Sequence, residues 1–413
     1  MAHLLNLYYS KKRELVASNT YMSKETDLMK ETPQFKSFFM GGFECAAPLA
    51  ENKKRIDLLA ESKHDVYCRE DYRLLKDIGI ATVREGLVWS KIDLGNGVYN
   101  FERFEKMMAI GEEEGIEQIW DLNHFDFPER FDPFHESFVQ AFAQYAKRAV
   151  KLMRKYNDKT LYIVPINEIS FFSYMAATIG LWGPYVLTRG YDFKKQLVRA
   201  SIEAMDAIWK EDKNVRFIQV DPVFRRITKD RPTIVTKAIV EMFTEVKFQA
   251  FDMLSGKLEP ELGGHPKYLD IIGCNYYMTN QEWITGEDIL DINCHEIIPM
   301  DHPDRVSLYT ILKEVYDRYK RPIVVSETGS YGSLREEWWN VLLKQIDYSK
   351  SRLPIHGVCA YPVVDRPDWT HWHLTNSGFW DFKKDDKECR RVPYDPVIKM
   401  VKGYTGRLRE KEK

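Results

Sequence analysis

Cysteine is scarce and scattered. Cys45, Cys68, Cys274, Cys294, Cys359 and Cys389 form no C-x-x-C pair, which argues against a zinc ribbon or a dithiol redox motif and for structural thiols in a reducing compartment. An excess of either charge is also missing. The 60 Lys and Arg stand against 62 Asp and Glu for a net charge of −2, so no polycationic face is available for a nucleic-acid backbone or an anionic membrane. No apolar run approaches the ~20 residues of a membrane span. The opening MAHLLNLYYSKKRELVASN lacks a stretch of signal-peptide length, so a cytoplasmic protein is expected. No G-x-G-x-x-G follows the first apolar run and no G-x-x-x-x-G-K-[ST] occurs, which leaves a nucleotide without support. His371 and His373 lie two apart, a spacing that suits neither a helical HExxH site nor a four-ligand zinc pattern. They read as part of a loop over a pocket, and neither metal nor cofactor is expected.

What the sequence does contain is a regular alternation. With 44% hydrophobic and 30% charged residues the chain can bury a large core and keep a solvated surface. Residues 1–35 are polar and aperiodic and read as an N-terminal extension. From residue 36 to 413, short apolar runs alternate with amphipathic stretches of helical period. The runs 37–46, 80–89, 116–125, 161–168, 215–222, 268–277, 322–329 and 355–364 read as strands. Helical stretches such as 69–79, 101–115, 137–156, 192–212 and 335–350 separate them. Eight βα units predict an α/β fold, a single (β/α)8 TIM barrel. A doubly wound sheet, or two α/β units divided near residues 225–265, fits the punctuation less well.

A closed parallel barrel places its chemistry at the strand C-termini. Those ends are polar here: Glu44, Arg84, Asn123, His124, Asn167, Glu168, Asp221, Asn275, Tyr276, Tyr277, Glu327, and Asp365 through Trp369. Glu168 follows one apolar run and Glu327 another. Two rim carboxylates suit hydrolysis of an acetal, in which one is kept protonated for the leaving oxygen and one is ionised to attack. On pattern alone they read equally well as separate strand-end residues.

The motifs around them resemble a known family. Ile166-Asn167-Glu168 is similar to the acid/base signature on the fourth strand of the (β/α)8 clan A of retaining glycoside hydrolases, and Val325-Ser326-Glu327-Thr328-Gly329 to the nucleophile signature on the seventh. Within that clan the sequence is most similar to family 1, the β-glucosidase family. Thr82 through Ile92 resembles its second-strand segment, where the Arg holds the nucleophile; Leu122 through Pro128 resembles L-x-H-W-D-x-P, whose His contacts the sugar. Asn275-Tyr276-Tyr277 resembles N-Y-Y, whose first Tyr hydrogen-bonds the nucleophile. Asp365 through Trp369 resembles the eighth-strand D-N-x-E-W, and Ser377 through Asp381 the F-G-L-x-x-V-D beyond that strand. The six matches are collinear between about residues 36 and 383.

The resemblance implies a retaining β-glycosidase with a carbohydrate substrate and no cofactor, Glu168 acting as acid/base and Glu327 as nucleophile. Arg84 and Tyr276 are expected on Glu327, and Asn123, His124, Asn167, Asp368 and Trp369 on the sugar. Thr328 stands where the family has Asn, the eighth strand ends Cys359-Ala360-Tyr361-Pro362 where it has a Trp-Ser, and Asp368 stands where it has Glu, changes that bear on which sugar is taken. Transfer to an acceptor other than water, and a silent carbohydrate-binding barrel, are the rival readings.

Overall fold

The computed structural model describes residues 32–229, 233–285, 294–369, 373–383 and 386–411; most of the expected extension, and His371, lie outside them. Eight parallel strands close into a barrel: β1 (Phe39–Gly42), β2 (Thr82–Gly86), β3 (Glu117–Asp121), β4 (Leu161–Val164), β5 (Val215–Pro222), β6 (Ile271–Asn275), β7 (Ile323–Thr328) and β8 (Ile355–Ala360). Each pairs with the next and β8 pairs with β1. The stretch around 225–265 divides nothing, because β5 pairs directly with β6 across it. Between those strands the chain also builds a small sheet from Arg225–Thr228, Gln281–Ile284 and His295–Ile297. Most strands are shorter than the apolar runs that announce them. Leu87 and Val88, for instance, are buried, but they already lead into a short helix at Trp89–Ile92.

Alternation along the strands sorts side chains into two cores. Met40, Ile119, Tyr162, Val164, Ile218, Val220, Ile271 and Val324 pack together as one cluster, as the layered interior of such a barrel requires. Val215 and Phe217 belong to the larger cluster shared by strands and helices. The helices used below are α1 (His64–Asp77), α2 (Glu136–Met153) and α3 (Gly190–Glu211). In α2, Phe138, Phe142, Tyr145, Ala149 and Met153 recur at helical spacing and are buried. Trp89 packs against Phe142 and Tyr145 with ring centroids 5.2 and 5.5 Å away. No described helix is long and apolar enough to cross a membrane.

α1 is pinned to the barrel by a buried polar network. His64 lies between Asp71 Oδ2 at 2.8 Å and Glu85 Oε1 at 2.9 Å, and its ring stacks on Phe43 at 3.5 Å. Tyr72 donates to Glu85 at 2.6 Å, and Arg391 donates to both oxygens of Asp71 at 2.7 and 2.6 Å. Burial opposes the charge on His64, but Glu85 and the bond to Asp71 outweigh it and hold the imidazole well above the usual histidine range.

Candidate active site

Glu168 reaches the rim through a turn. After β4 the chain runs on to Asn167, which bridges to Val220, and the Glu168 N–H donates to the Val220 carbonyl at 3.0 Å. Glu168 itself sits at φ 44° and ψ 59°, a left-handed conformation that a non-glycine residue adopts only when its surroundings impose it. A short helix, Ile169–Ser173, follows at once. The carboxyl accepts from Asn275 Nδ2 at 2.8 Å, and the Ser326 hydroxyl fixes that amide by donating to Asn275 Oδ1 at 2.7 Å. Burial first, and the charge of Glu327 second, push the Glu168 carboxyl well above the usual carboxylate range.

Glu327, near the end of β7, meets the opposite environment. Arg84 Nη1 donates to Oε1 at 2.8 Å and the Tyr277 hydroxyl to Oε2 at 2.7 Å. Burial, with the charge of Glu327 adding, raises the Tyr277 hydroxyl far enough to keep it a donor. Arg84 is fully buried, and all five of its N–H groups are used. Nε and Nη2 grip Asp121 at 2.9 and 2.6 Å, Nη2 also reaches Asn167 Oδ1 at 2.8 Å, and Nη1 reaches the Ser326 carbonyl at 3.0 Å. Burial opposes ionisation of Asp121, yet Arg84 and His124 together bring its carboxyl below the usual range.

This network fixes one tautomer. Arg84 can only donate, so Asn167 turns Oδ1 toward it and Nδ2 toward His124 Nε2, 2.9 Å away. Nε2 is therefore the acceptor, and Nδ1 carries the proton toward Asp121 Oδ2 at 3.0 Å. Cys45 Sγ lies 3.2 Å from the same Nδ1. Among the described residues, Cys45, Asp121 and His124 form the one set of such side chains close enough to share a cation. Arg84 already takes both oxygens of the carboxylate, and His124 is bonded at both nitrogens, so these donors are committed to one another.

Above the network opens a cavity of about 630 Å³ lined by Glu44, His124, Glu168, Tyr277, Glu327, Tyr361, Arg366, Asp368 and Trp369, among others. His124 stacks on Tyr361 with interplanar angle 8°. A Cβ on Gly42 would stand 2.2 Å from the Tyr361 ring, so glycine is what lets that ring lie on β1. Glu44 pairs with Arg366 at 2.8 Å, and the guanidinium of Arg366 lies 4.8 Å over Trp369. Trp182 is buried behind the wall, edge-on to Trp369 at 5.4 Å.

The structure thus gathers Arg84, His124, Glu168, Glu327, Asp368 and Trp369 at one end of the barrel, and it corrects three placements. Tyr276 does not reach Glu327: its hydroxyl accepts from Gln281 at 2.7 Å, and Tyr277 takes the position expected of it. Asn123 is buried away from the cavity, closing a turn by donating to the Asp126 carbonyl at 2.6 Å and accepting from its N–H at 3.1 Å. Asn167 joins Arg84 to His124 and does not line the cavity. Asp121 carries no motif of its own, and the sequence does not single it out. Strand alternation is the available signal for Tyr277, since it lies two residues after Asn275 and so on the same face.

Comparison with known proteins bears on the family and the fold. The profile of Glycosyl hydrolase family 1 matches residues 46–228. Over that stretch, rather less than half of its length, the chain is similar to family 1 glycoside hydrolases. Three solved structures share its fold at low identity. The AHE enzyme from Alicyclobacillus herbarius superposes with TM-score 0.73 at 14% identity, covering 91% of this chain and 100% of that one. A β-glucosidase from Thermotoga maritima, in complex with glucoimidazole, gives TM-score 0.72 at 14% identity over 91% and 99%. A β-glycosidase from Pyrococcus horikoshii gives 0.67 at 18% identity over 83% and 85%.

Proposed function

We propose that this glycoside hydrolase cleaves β-glycosides with retention, by double displacement at Glu327 with Glu168 as acid and then base. The observation that carries the reading is the contrast between two glutamates lining one cavity. Glu168 is buried beside another carboxylate and is driven toward its neutral form, whereas a guanidinium and a phenol both donate to Glu327. The protonated Glu168 delivers its proton to the leaving oxygen while Glu327 attacks the anomeric carbon; water, deprotonated by Glu168, then releases the sugar. The retaining route implies carboxyl groups ~5–5.5 Å apart. Arg84 and Tyr277 hold the nucleophile, and His124, Asp368 and Trp369 face the sugar. The substrate is read as an uncharged β-glycoside taken from a chain end, since the cavity offers His124, Asp368 and Trp369 to a sugar.

The test is Glu327→Ala assayed on aryl β-glycosides with activated leaving groups. Turnover is expected to vanish while circular dichroism and thermal unfolding stay near wild type. Loss of the fold, or a wild-type protein that binds sugars and turns over no activated glycoside, would favour the silent barrel.

A further inference from the structure

Behind Glu168, away from the cavity floor, lies a second buried carboxylate. Asp221 near the end of β5 accepts from the Ser170 N–H at 2.9 Å with one oxygen and from the Ser170 hydroxyl with the other. It therefore caps the short helix that begins just after Glu168, from a different strand. The neighbouring residue, Val220, takes the N–H of Glu168 itself. Two adjacent residues of β5 thus hold both sides of the left-handed turn at Glu168. The Ile169–Ser173 helix has no cap from its own N-cap side chain, because that side chain is the Glu168 carboxyl, which points to Asn275 instead.

Asp221 also carries charge into this setting. It is buried, and so is Lys194 of α3, whose ammonium donates to Gln249 at 2.8 Å. Burial pushes the Asp221 carboxyl up to about 6, with Ser170 and Lys194 restraining the rise. Burial brings Lys194 down to about 8, against the pull of Asp221. The groups facing Glu168 are Glu327 from β7, Arg84 from β2, Asn275 and Tyr277 from the end of β6, and Asp221 from β5; Lys194 and Ser170 face Asp221.

We infer that Asp221 is a positioning residue for Glu168: it anchors the turn that carries this carboxyl into the cavity and sets a second carboxylate behind it. The inference rests on the reading of Glu168 as the acid. It adds that the acid is tuned from behind by a group that never touches substrate. Since the charge of Asp221 depends on Lys194, the two act as a unit.

Asp221→Asn keeps an acceptor for the Ser170 N–H and removes the charge. The alkaline limb of kcat/KM for an alkyl β-glucoside, whose leaving group needs a proton, is expected to move toward lower pH by roughly one unit, the usual scale of an environmental shift. No corresponding shift is expected with 2,4-dinitrophenyl β-glucoside. Lys194→Gln, which removes the cation that keeps Asp221 ionised, should move the limb the same way; a direct field of Lys194 on Glu168 would move it the other way. A folded Asp221→Asn protein with an unmoved limb overturns the inference. Should the wild type hydrolyse no glycoside, the functional reading fails instead. Infrared titration of the Glu168 carboxyl, taken as the difference from Glu168→Gln, then still decides: a carboxyl that titrates alike with and without the Asp221 charge overturns the inference, and a downward shift sustains it.

Discussion

At Glu327 two chemically different donors meet one carboxylate, and they do different work. Arg84 brings a fixed charge, whereas Tyr277 brings a hydroxyl whose bond, under the proposed double displacement, loosens as Glu327 bonds to the sugar. A hydrogen bond to a charged group contributes about 1.5–3 kcal/mol, so Tyr277→Phe is expected to lower kcat by roughly 10- to 150-fold. Tyr276→Phe, which loses the bonds from Gln281 and Arg305, should leave kcat within a few-fold of wild type; steady-state kinetics of the two variants on one substrate separate the roles. Glu168 makes its own prediction. An activated aryl glycoside leaves with little protonation, so Glu168→Ala should still form the glycosyl-enzyme and then hydrolyse it slowly for want of a base. Azide should accelerate that variant and yield a β-glycosyl azide, because a second displacement restores the starting configuration. An α-azide in the product spectrum would contradict the double displacement.

The loop after β3 shows where strand periodicity stops giving the right answer. Asp121 and Asn123 are two apart, and continued alternation would put both on the cavity side. The strand ends at Asp121, and the chain turns through Phe125 at φ 62°, with Asn123 and Asp126 bonded to each other and Arg55 paired with Asp126. Asn123 is thus a turn residue. Asn123→Ala is expected to lower stability by about 1–3 kcal/mol through its unmade buried bonds, with KM nearly unchanged; thermal unfolding and kinetics on the same preparation check both halves. All eight strands are readable because β-branched and apolar runs are bounded by polar strand ends, and Glu168, Glu327, Arg84 and His124 are readable because those ends form the rim. Tyr277, Asp121 and Asp221 are harder to read. Their importance comes from partners on other elements, such as Ser170 reaching Asp221 from a short helix and Arg84 reaching Asp121 from β2, and neither pairing leaves a local pattern.

Over the whole molecule, polar groups are buried on both faces of β2. Arg84 points inward to Asp121 and Glu327, and the next residue, Glu85, points outward to His64 and Tyr72. The outer network makes stability depend on pH. His64 has a folded value raised above its unfolded one, so its contribution is complete below the ordinary histidine range and is lost as pH rises through the raised value. The midpoint of thermal unfolding should therefore fall on the alkaline side, and His64→Gln should flatten that part of the curve. The inner network has a consequence for how the chain acquires activity. Arg84 and Glu327 are 243 residues apart, and Asn275 and Glu168 are 107 apart. Loops this long close slowly. A partly formed ring of β1 to β4 can pair Arg84 with Asp121, but two N–H groups of that arginine find their acceptors only when β7 arrives. A ring of β1 to β4 alone would thus hold Glu168 and Arg84 without Glu327, and the site is complete only when the circle closes.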